Sequence, residues 1–334
     1  MATNTVNSQL TFTELAKRTD GGSMLPIAEV LSALAPILND IPWFQCNQIL
    51  AEKIVRRHSL PSGTWRKANQ GVASEASSTD IVLEQVALLE ARSVVDEDII
   101  DNAPNPMQAR RDEDMSFVEG MAQEYAKTLV QGTTEGAATS APEEIEGLAQ
   151  RLNDLDQTTV IDGGGSGGDT TSIYVVKWGK NGAYGIYPAA AANRGTLGLS
   201  INDKGKEAVI DSTTNTTAFY AWVTQFKWWV GLAVRDELAI GRIANIETTG
   251  STNIFDEDDL ISLLNLGHFE GPGTTIYLNK TLATQAQIRL KDKGNVNWSV
   301  GEGLSGRPVM QFQGVPVRKM ENNIIVNTET AVTS

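Results

Sequence analysis

The chain has 334 residues, 41% hydrophobic and 20% charged, with a formal net charge of −14. That length buries a sizeable core and fits two intimately connected domains, while the acidic balance excludes a protein that grips nucleic acid through a basic patch. A single cysteine, Cys46, excludes a disulfide framework within the chain, and no apolar run approaches the ~20 residues that span a bilayer. With no basic-then-apolar leader at the N-terminus, the expectation is a cytosolic, untargeted protein.

Residues 1–47 read as an arm. A short helix is expected from Thr11 or Thr13 through Lys17, broken at Asp20, Gly21 and Gly22. Residues 26–38 then place Ile27, Val30, Leu31, Leu34, Ile37 and Leu38 on one helical face, ahead of Asp40 and Pro42. So much apolar surface on a short terminal helix must be buried, on this chain or on another. Leu31 and Leu34 are therefore candidate intersubunit contacts. Residues 52–96 read as two extended limbs, KIVRRHSLPSGTWRKANQ and TDIVLEQVALLEARSVVD, separated by small residues at 71–79. Pro61 and Gly63 interrupt the first limb and point to a bulge or an edge. Limbs of about 15 residues would project up to roughly 50 Å. A lone two-stranded ribbon is marginal in water, so a neighbouring molecule is its natural support. Arg56, Arg57, Arg66 and Lys67 cluster on the first limb, either as a solvated face or as partners for carboxylates of another subunit.

Residues 105–132 predict one long helix, about 39 Å from Pro106 to Gln131. Asn105 suits the N-cap, Pro106 the first helical position, Gln108 the third, and Gly132 the stop. Met115, Val118, Met121, Ala122, Tyr125 and Leu129 recur at three- and four-residue spacing as one apolar stripe. Asp112, Glu113 and Asp114 near its start are the candidate partners of the basic cluster.

Ser140 to Glu143 reads as a second capping box, opening EEIEGLAQRL with Ile145, Leu148 and Leu152 on one face. The glycine run 163–168 resembles a phosphate loop only superficially. The strand-like residues 171–178 follow it, where a phosphate loop needs a helix, so a mobile turn between strands is expected. Weak strands are read at 197–201 and 207–211. Residues 218–247 are dense in aromatic and β-branched residues, including Phe219, Trp222, Phe226, Trp228 and Trp229, and predict long buried strands, with 238–246 a strand end or a short helix. Two amphipathic helices at 255–266 and 281–291 flank a strand at 274–278, and the tail gives two closing strands.

The segments IDGGGSGGDTTSIYVVKWGKNGAYGIYP, FKWWVGLAVRDELAIGRIANIE and MQFQGVPVRK, in that order, resemble major capsid proteins of tailed bacteriophages, in a podophage-like group with the Hong Kong 97-type fold. The resemblance extends over most of residues 135–326. It implies an α+β fold divided into an N-terminal arm (1–50), an E-loop hairpin (51–100), the spine helix of a peripheral (P) domain (101–135), a first part of a mixed A domain (136–217), long P-domain strands (218–250), and the rest of the A domain with the closing strands (251–334). It also implies a subunit that assembles with itself into hexamers and pentamers of an icosahedral head around double-stranded DNA. Decoration or scaffolding proteins and the portal are candidate further partners. Sequence-specific DNA binding and membrane contact are not expected. The expected location is the virion, after synthesis in the host cytoplasm.

The residues agree in offering no chemistry. His58 and His268 are the only histidines and lie outside any metal-ligand spacing, no nucleophile elbow appears, and the carboxylates at 256–259 suit the first turn of a helix. No cofactor, metal or catalytic residue is expected. Some members of this fold crosslink a lysine to a neighbour's asparagine. Lys67 is a conceivable donor, but without a matching carboxylate motif that bond is not expected. The alternatives are an encapsulin-like compartment shell and a carbohydrate-binding or carbohydrate-active protein using the aromatics between Trp222 and Trp229.

Overall fold

The computed structural model describes residues 19–20, 23–24, 35–133, 144–189, 198–210, 217–290, 298–302 and 308–333. In chain order it begins with β1 (Thr19–Asp20) and β2 (Ser23–Met24), paired antiparallel, then α1 (Ile37–Asp40) and β3 (Trp43–Gln45). Strands β4 (Ala51–Ser59), β5 (Ser78–Gln85) and β6 (Ala87–Asp96) follow, then α2 (Glu97–Asp101) and α3 (Pro106–Gln131). The second half holds α4 (Leu148–Arg151), β7 (Val160–Asp162), β8 (Thr170–Lys177), β9 (Ala183–Tyr187), β10 (Leu199–Ile210), β11 (Ala218–Val234), β12 (Ile240–Glu247), α5 (Glu257–Leu266), β13 (Thr274–Asn279), α6 (Lys280–Leu290), β14 (Trp298–Glu302), β15 (Pro308–Phe312) and β16 (Val315–Met320). The expected early helix, the part of the apolar face at residues 27–34 with Leu31 and Leu34, and the cap at Ser140 lie outside the described residues, whereas Ile37 and Leu38 of that face pack in the chain's own core.

The strand β11 organises the first sheet. Its residues 218–228 pair with β10, 221–230 with β6, and 231–234 with β9, which in turn pairs with β3. Helix α3 lies along this strand. The Arg110 guanidinium sits 4.3 Å over the Trp222 ring, Thr224 Oγ1 donates to Asp114 Oδ2 at 3.2 Å, Phe117 stacks on Phe226 at 5.9 Å, and Tyr125 meets Trp228 at 4.9 Å. The strand partners are alternate residues and so share one face. From Arg110 to Tyr125 the helix rises about 22 Å, and from Trp222 to Trp228 the strand advances about 20 Å. Helix and strand are thus commensurate, which is why one long helix can tie down one long strand.

The helix ends are as the sequence predicts, with one change of reason. Asn105 Oδ1 accepts from the Gln108 N–H at 3.3 Å, and Pro106 opens the helix. Gly132 stops it at φ −55, which any residue adopts. Glycine is required there by close approach, since a Cβ would lie 2.4 Å from the Ile145 carbonyl oxygen. The apolar stripe needs correction. Met121, Tyr125 and Leu129 are buried, but Met115 is 70% exposed and Val118 is also exposed. The N-terminal half of α3 touches the sheet through Ala109, Arg110, Asp114 and Phe117, whereas the C-terminal half enters the core and also buries Ala126 and Val130. A single stripe cannot describe a helix whose buried arc widens along its length.

The second sheet has seven strands in the order β14-β15-β16-β13-β8-β12-β7. Its strand β8 is covered on both faces. Ile173 and Val175 join a core with Leu260 and Leu263 of α5 and Leu282 and Ala286 of α6, while Tyr174 and Val176 join a core with Leu148, Tyr125, Leu129, Val230 and Leu232. The end of α3 therefore lies in the core shared by the two sheets.

Other expectations shift at particular residues. The limb TDIVLEQVALLEARSVVD is not one strand: Val86 is buried and donates its N–H to the Leu50 carbonyl at 3.0 Å, so β5 stays with β4 and β6 leaves for β11. The weak strands near 197–201 and 207–211 are one strand, β10, carried past a bulge at Asp203 and Gly205 (φ +78). Residues 240–247 form β12 after a single 3₁₀ turn at Glu237–Ala239, and they pair in the seven-stranded sheet. Of the described residues 144–152 in EEIEGLAQRL, only Leu148–Arg151 are helical, although Ile145, Leu148 and Leu152 are all buried. The glycine run links β7 to β8 and is tied to β12, with the Gly163 and Gly165 N–H groups donating to the Ala244 and Asn245 carbonyls, both at 2.8 Å. No helix follows it, so no phosphate cradle forms.

The split of the α3 stripe gives a direct test. Met121→Ala is expected to destabilise the unassembled subunit by about 2–5 kcal/mol, and Met115→Ala to stay within about 0.5 kcal/mol, both read by equilibrium denaturation. Equal losses would put Met115 back in the core.

Candidate assembly surfaces

The hairpin of β4 and β5 sorts its side chains by register. Glu52 opposes Glu84, Ile54 opposes Val82, and Arg56 opposes Asp80 on one face; Lys53 opposes Leu83, Val55 opposes Ile81, and Arg57 opposes Thr79 on the other. The first face docks on the chain's own body. Ile54 is buried, and Arg56 donates to the Val234 and Arg235 carbonyls and pairs with Glu237. Glu84 accepts two hydrogen bonds from Arg151, at 2.8 and 2.6 Å, and is almost fully buried. The second face is open: Val55, Ile81 and Leu83 are exposed, with Lys53 and Arg57 beside them. Beyond Ser59 every residue through Ile81 is exposed, including Trp65 at the tip. The bulge expected near Pro61 falls instead between Arg57 and Ser59.

The four basic residues therefore part ways. Alternation sends Arg56 inward to its own chain and Arg57 outward. Arg66 reaches the Gln70 carbonyl at 2.8 Å and stays exposed at the tip with Lys67. At the start of α3, Asp112 and Glu113 are half-buried, and Asp114 faces its own sheet. Burial pushes the Asp114 carboxyl above the usual carboxylate range, against the pull of hydrogen bonds from Ser93 and Thr224 and of the Arg110 charge. None of the basic residues meets Asp112, Glu113 or Asp114 in a described ion pair within the chain. Sequence reasoning missed Glu84 and Arg151, the pair that anchors the hairpin. The only available signal was a glutamate among apolar residues in IVLEQVALL.

The other candidates are structural. Trp222 lies under Arg110, with Lys206 Nζ 5.2 Å from its ring, and Trp228 packs on Trp43 and Tyr125. Those rings are spent on packing and form no sugar platform. His58 and His268 pair with Asp80 and Asp236, at 3.2 and 2.7 Å. Among the described residues no group of three or more His, Cys, Asp or Glu is placed to hold a metal ion, and no helix is long and apolar enough to cross a membrane.

The family model of the major capsid protein GP7 matches residues 19–333. The chain belongs to the major capsid protein GP7 family. Among solved structures, a chain of bacteriophage Epsilon15 superposes on this GP7-family chain over 100% of both at TM-score 0.73 with 23% identity, which shows a shared fold. A bacteriophage JBD30 capsid chain aligns at 10% identity over 87% of this chain and 92% of its own, with TM-score 0.49. A chain of the holo-SrpI encapsulin complex from Synechococcus elongatus PCC 7942 is more distant, at 11% identity over 73% and 98%, with TM-score 0.47. No curated protein matches by sequence. The GP7-family chain is a structural protein of a bacteriophage capsid shell with the Hong Kong 97-type fold, and the carbohydrate reading falls away.

Two outcomes follow for the GP7-family subunit. Arg151→Met leaves Glu84 charged and buried, and is expected to cost about 3–5 kcal/mol, most of it recovered by adding Glu84→Leu. Equilibrium unfolding of both variants decides this, and a neutral single variant would contradict the anchoring role. The raised Asp114 value means that ionisation costs folded-state stability. That cost is absent below the ordinary carboxylate value and complete above the raised one, hence complete at neutral pH. Asp114→Asn is therefore expected to raise the melting temperature at about pH 7 and to leave it unchanged near about pH 3. Calorimetry at the two pH values checks the sign.

Proposed function

We propose that this chain assembles with itself as hexamers and pentamers of an icosahedral head that encloses double-stranded DNA. The observation that carries this is the hairpin. It is fixed to its own body by one face, and presents Val55, Ile81 and Leu83 between Lys53 and Arg57 on the other, where nothing described in the chain covers them. A two-stranded ribbon with an open apolar face needs outside support. Many small contacts, repeated by symmetry, suffice to close a shell.

On this reading β11, its paired strands and α3 form the peripheral domain, and the seven-stranded sheet with α5 and α6 forms the domain at the centre of each ring. Arg57, Arg66 and Lys67 meet carboxylates of a neighbouring subunit, and the outer face of α3, with Met107, Met115 and Asp112, is a second contact surface. The apolar arm with Leu31 and Leu34 is a third. The net charge of −14 suits a container that releases DNA without gripping it. No residue acts catalytically, and no cofactor is needed. The protein is made in the host cytoplasm and resides in the virion, with decoration, scaffolding and portal proteins as further candidate partners.

The test replaces residues 60–77 with an Asn-Gly turn, which suits the facing ends Ser59 and Ser78. The shortened subunit is expected to keep its melting temperature and to give no closed shells by electron microscopy, while the full chain gives them. Normal shells from the shortened chain would remove the hairpin from assembly.

A further inference from the structure

An open apolar groove of about 1100 Å³ lies at the base of the hairpin, lined by Ile49, Leu50, Val86, Leu88 and Trp229. Ile49 is 73% exposed, and Leu50 and Leu88 are also open to solvent. At the other end of the same hairpin Trp65 is 102% exposed, with Leu60 and Val72 exposed nearby in sequence and Arg66 and Lys67 next to it. An indole left in water forgoes a large hydrophobic contribution, and tryptophan is the side chain most often found as an anchor in protein interfaces. Knob and hole cannot meet within one chain. The nine-residue strand β4 separates them by about 30 Å.

We propose that Trp65 of one copy inserts into the groove at the hairpin base of the next copy, an inference that rests on the shell reading above. Two features select a second copy as the occupant. The knob and the hole sit at opposite ends of one ribbon, so the contact is heterologous and each subunit both gives and receives, the arrangement that closes rings. The groove has room for more than one side chain, and Leu60 and Val72 accompany Trp65 at the tip.

The test leaves knob and hole intact and combines Thr64→Cys, beside the knob, with Gln48→Cys, at the rim of the groove, in the full chain. Both positions are exposed in the subunit, so neither change removes a packed side chain. Cys46 is buried and its thiol is pushed up to about 12, which keeps it out of thiol exchange. A disulfide needs Cα atoms about 4.4–6.8 Å apart, so a bond between positions 64 and 48 joins different copies. Mild oxidation of purified particles is expected to give a ladder of covalent multimers on a non-reducing gel, which neither single variant gives. Trp65→Ala is expected to lower particle yield about tenfold or more, with solubility and thermal unfolding of the subunit unchanged, and Trp65→Phe to recover most of the yield. Double-cysteine particles without a ladder would overturn the contact, and so would a wild-type yield from Trp65→Ala, the result expected if a different protein fills the groove. Either outcome leaves the shell standing. Absence of particles from the wild-type chain would overturn the shell reading and this contact with it.

Discussion

Four side chains of α3 meet four alternate side chains of β11, and the rest of the subunit hangs from that row. Because β11 pairs on both sides, fixing it against the helix fixes β10, β6 and β9 as well. The row ends at Tyr125, which is fully buried and donates to the Gly231 carbonyl at 3.3 Å, at the point where β11 passes from β6 to β9. Trp43 of β3 packs on both Tyr125 and Trp228, so the strand that follows the arm is gathered into the same aromatic group. Gly231 also lies where β5 gives way to β6, since a Cβ there would come within 2.7 Å of the Gln85 carbonyl. The hairpin thus leaves the body at its most constrained point.

The body and the hairpin are held in different ways. In the seven-stranded sheet Arg242 is buried with every arm satisfied. Its Nε donates to Ser172 Oγ at 2.9 Å, Nη1 to the Leu152 carbonyl at 2.9 Å, and Nη2 to Glu329 at 2.9 Å. Asn245 exchanges hydrogen bonds with the Val332 backbone, at 2.9 and 2.8 Å, and pins the closing segment. Such networks add little net stability over an apolar core, but they fix one geometry because breaking any part leaves a buried charge or polar group unpaired. Among the described residues the hairpin has two ionic attachments around Ile54 and none farther out toward its tip. A rigid body with a thinly held ribbon is what a shell subunit needs: the body repeats identically, and the ribbon settles on whatever neighbour symmetry supplies.

Features written in local chemistry were legible in the sequence. The ends of α3 follow from Asn105, Pro106 and Gly132, and the order hairpin, helix and mixed sheet follows from pattern and resemblance. Features set by partners in space were not. Nothing in TDIVLEQVALLEARSVVD marks Val86 as the point where the chain changes sheets, because the deciding bond goes to Leu50. Strand β10 reads weakly because it pairs with a single strand, β11, and most of its side chains are exposed, among them Ile201 and Ile210. The basic cluster reads as one patch in sequence, yet strand alternation turns Arg56 and Arg57 to opposite faces, which became visible only once the register was known.

The central claim is that the hairpin lacks support in the free subunit and receives it from a neighbour. Hydrogen exchange at the backbone amides of β4 and β5, compared between unassembled subunit and purified particle, tests this most directly. Fast exchange outward from Arg57 and Thr79 in the subunit, with strong protection in the particle, is the expected result. Equal protection in both states would mean that the chain itself stabilises the ribbon, and would contradict the assembly role given to it here.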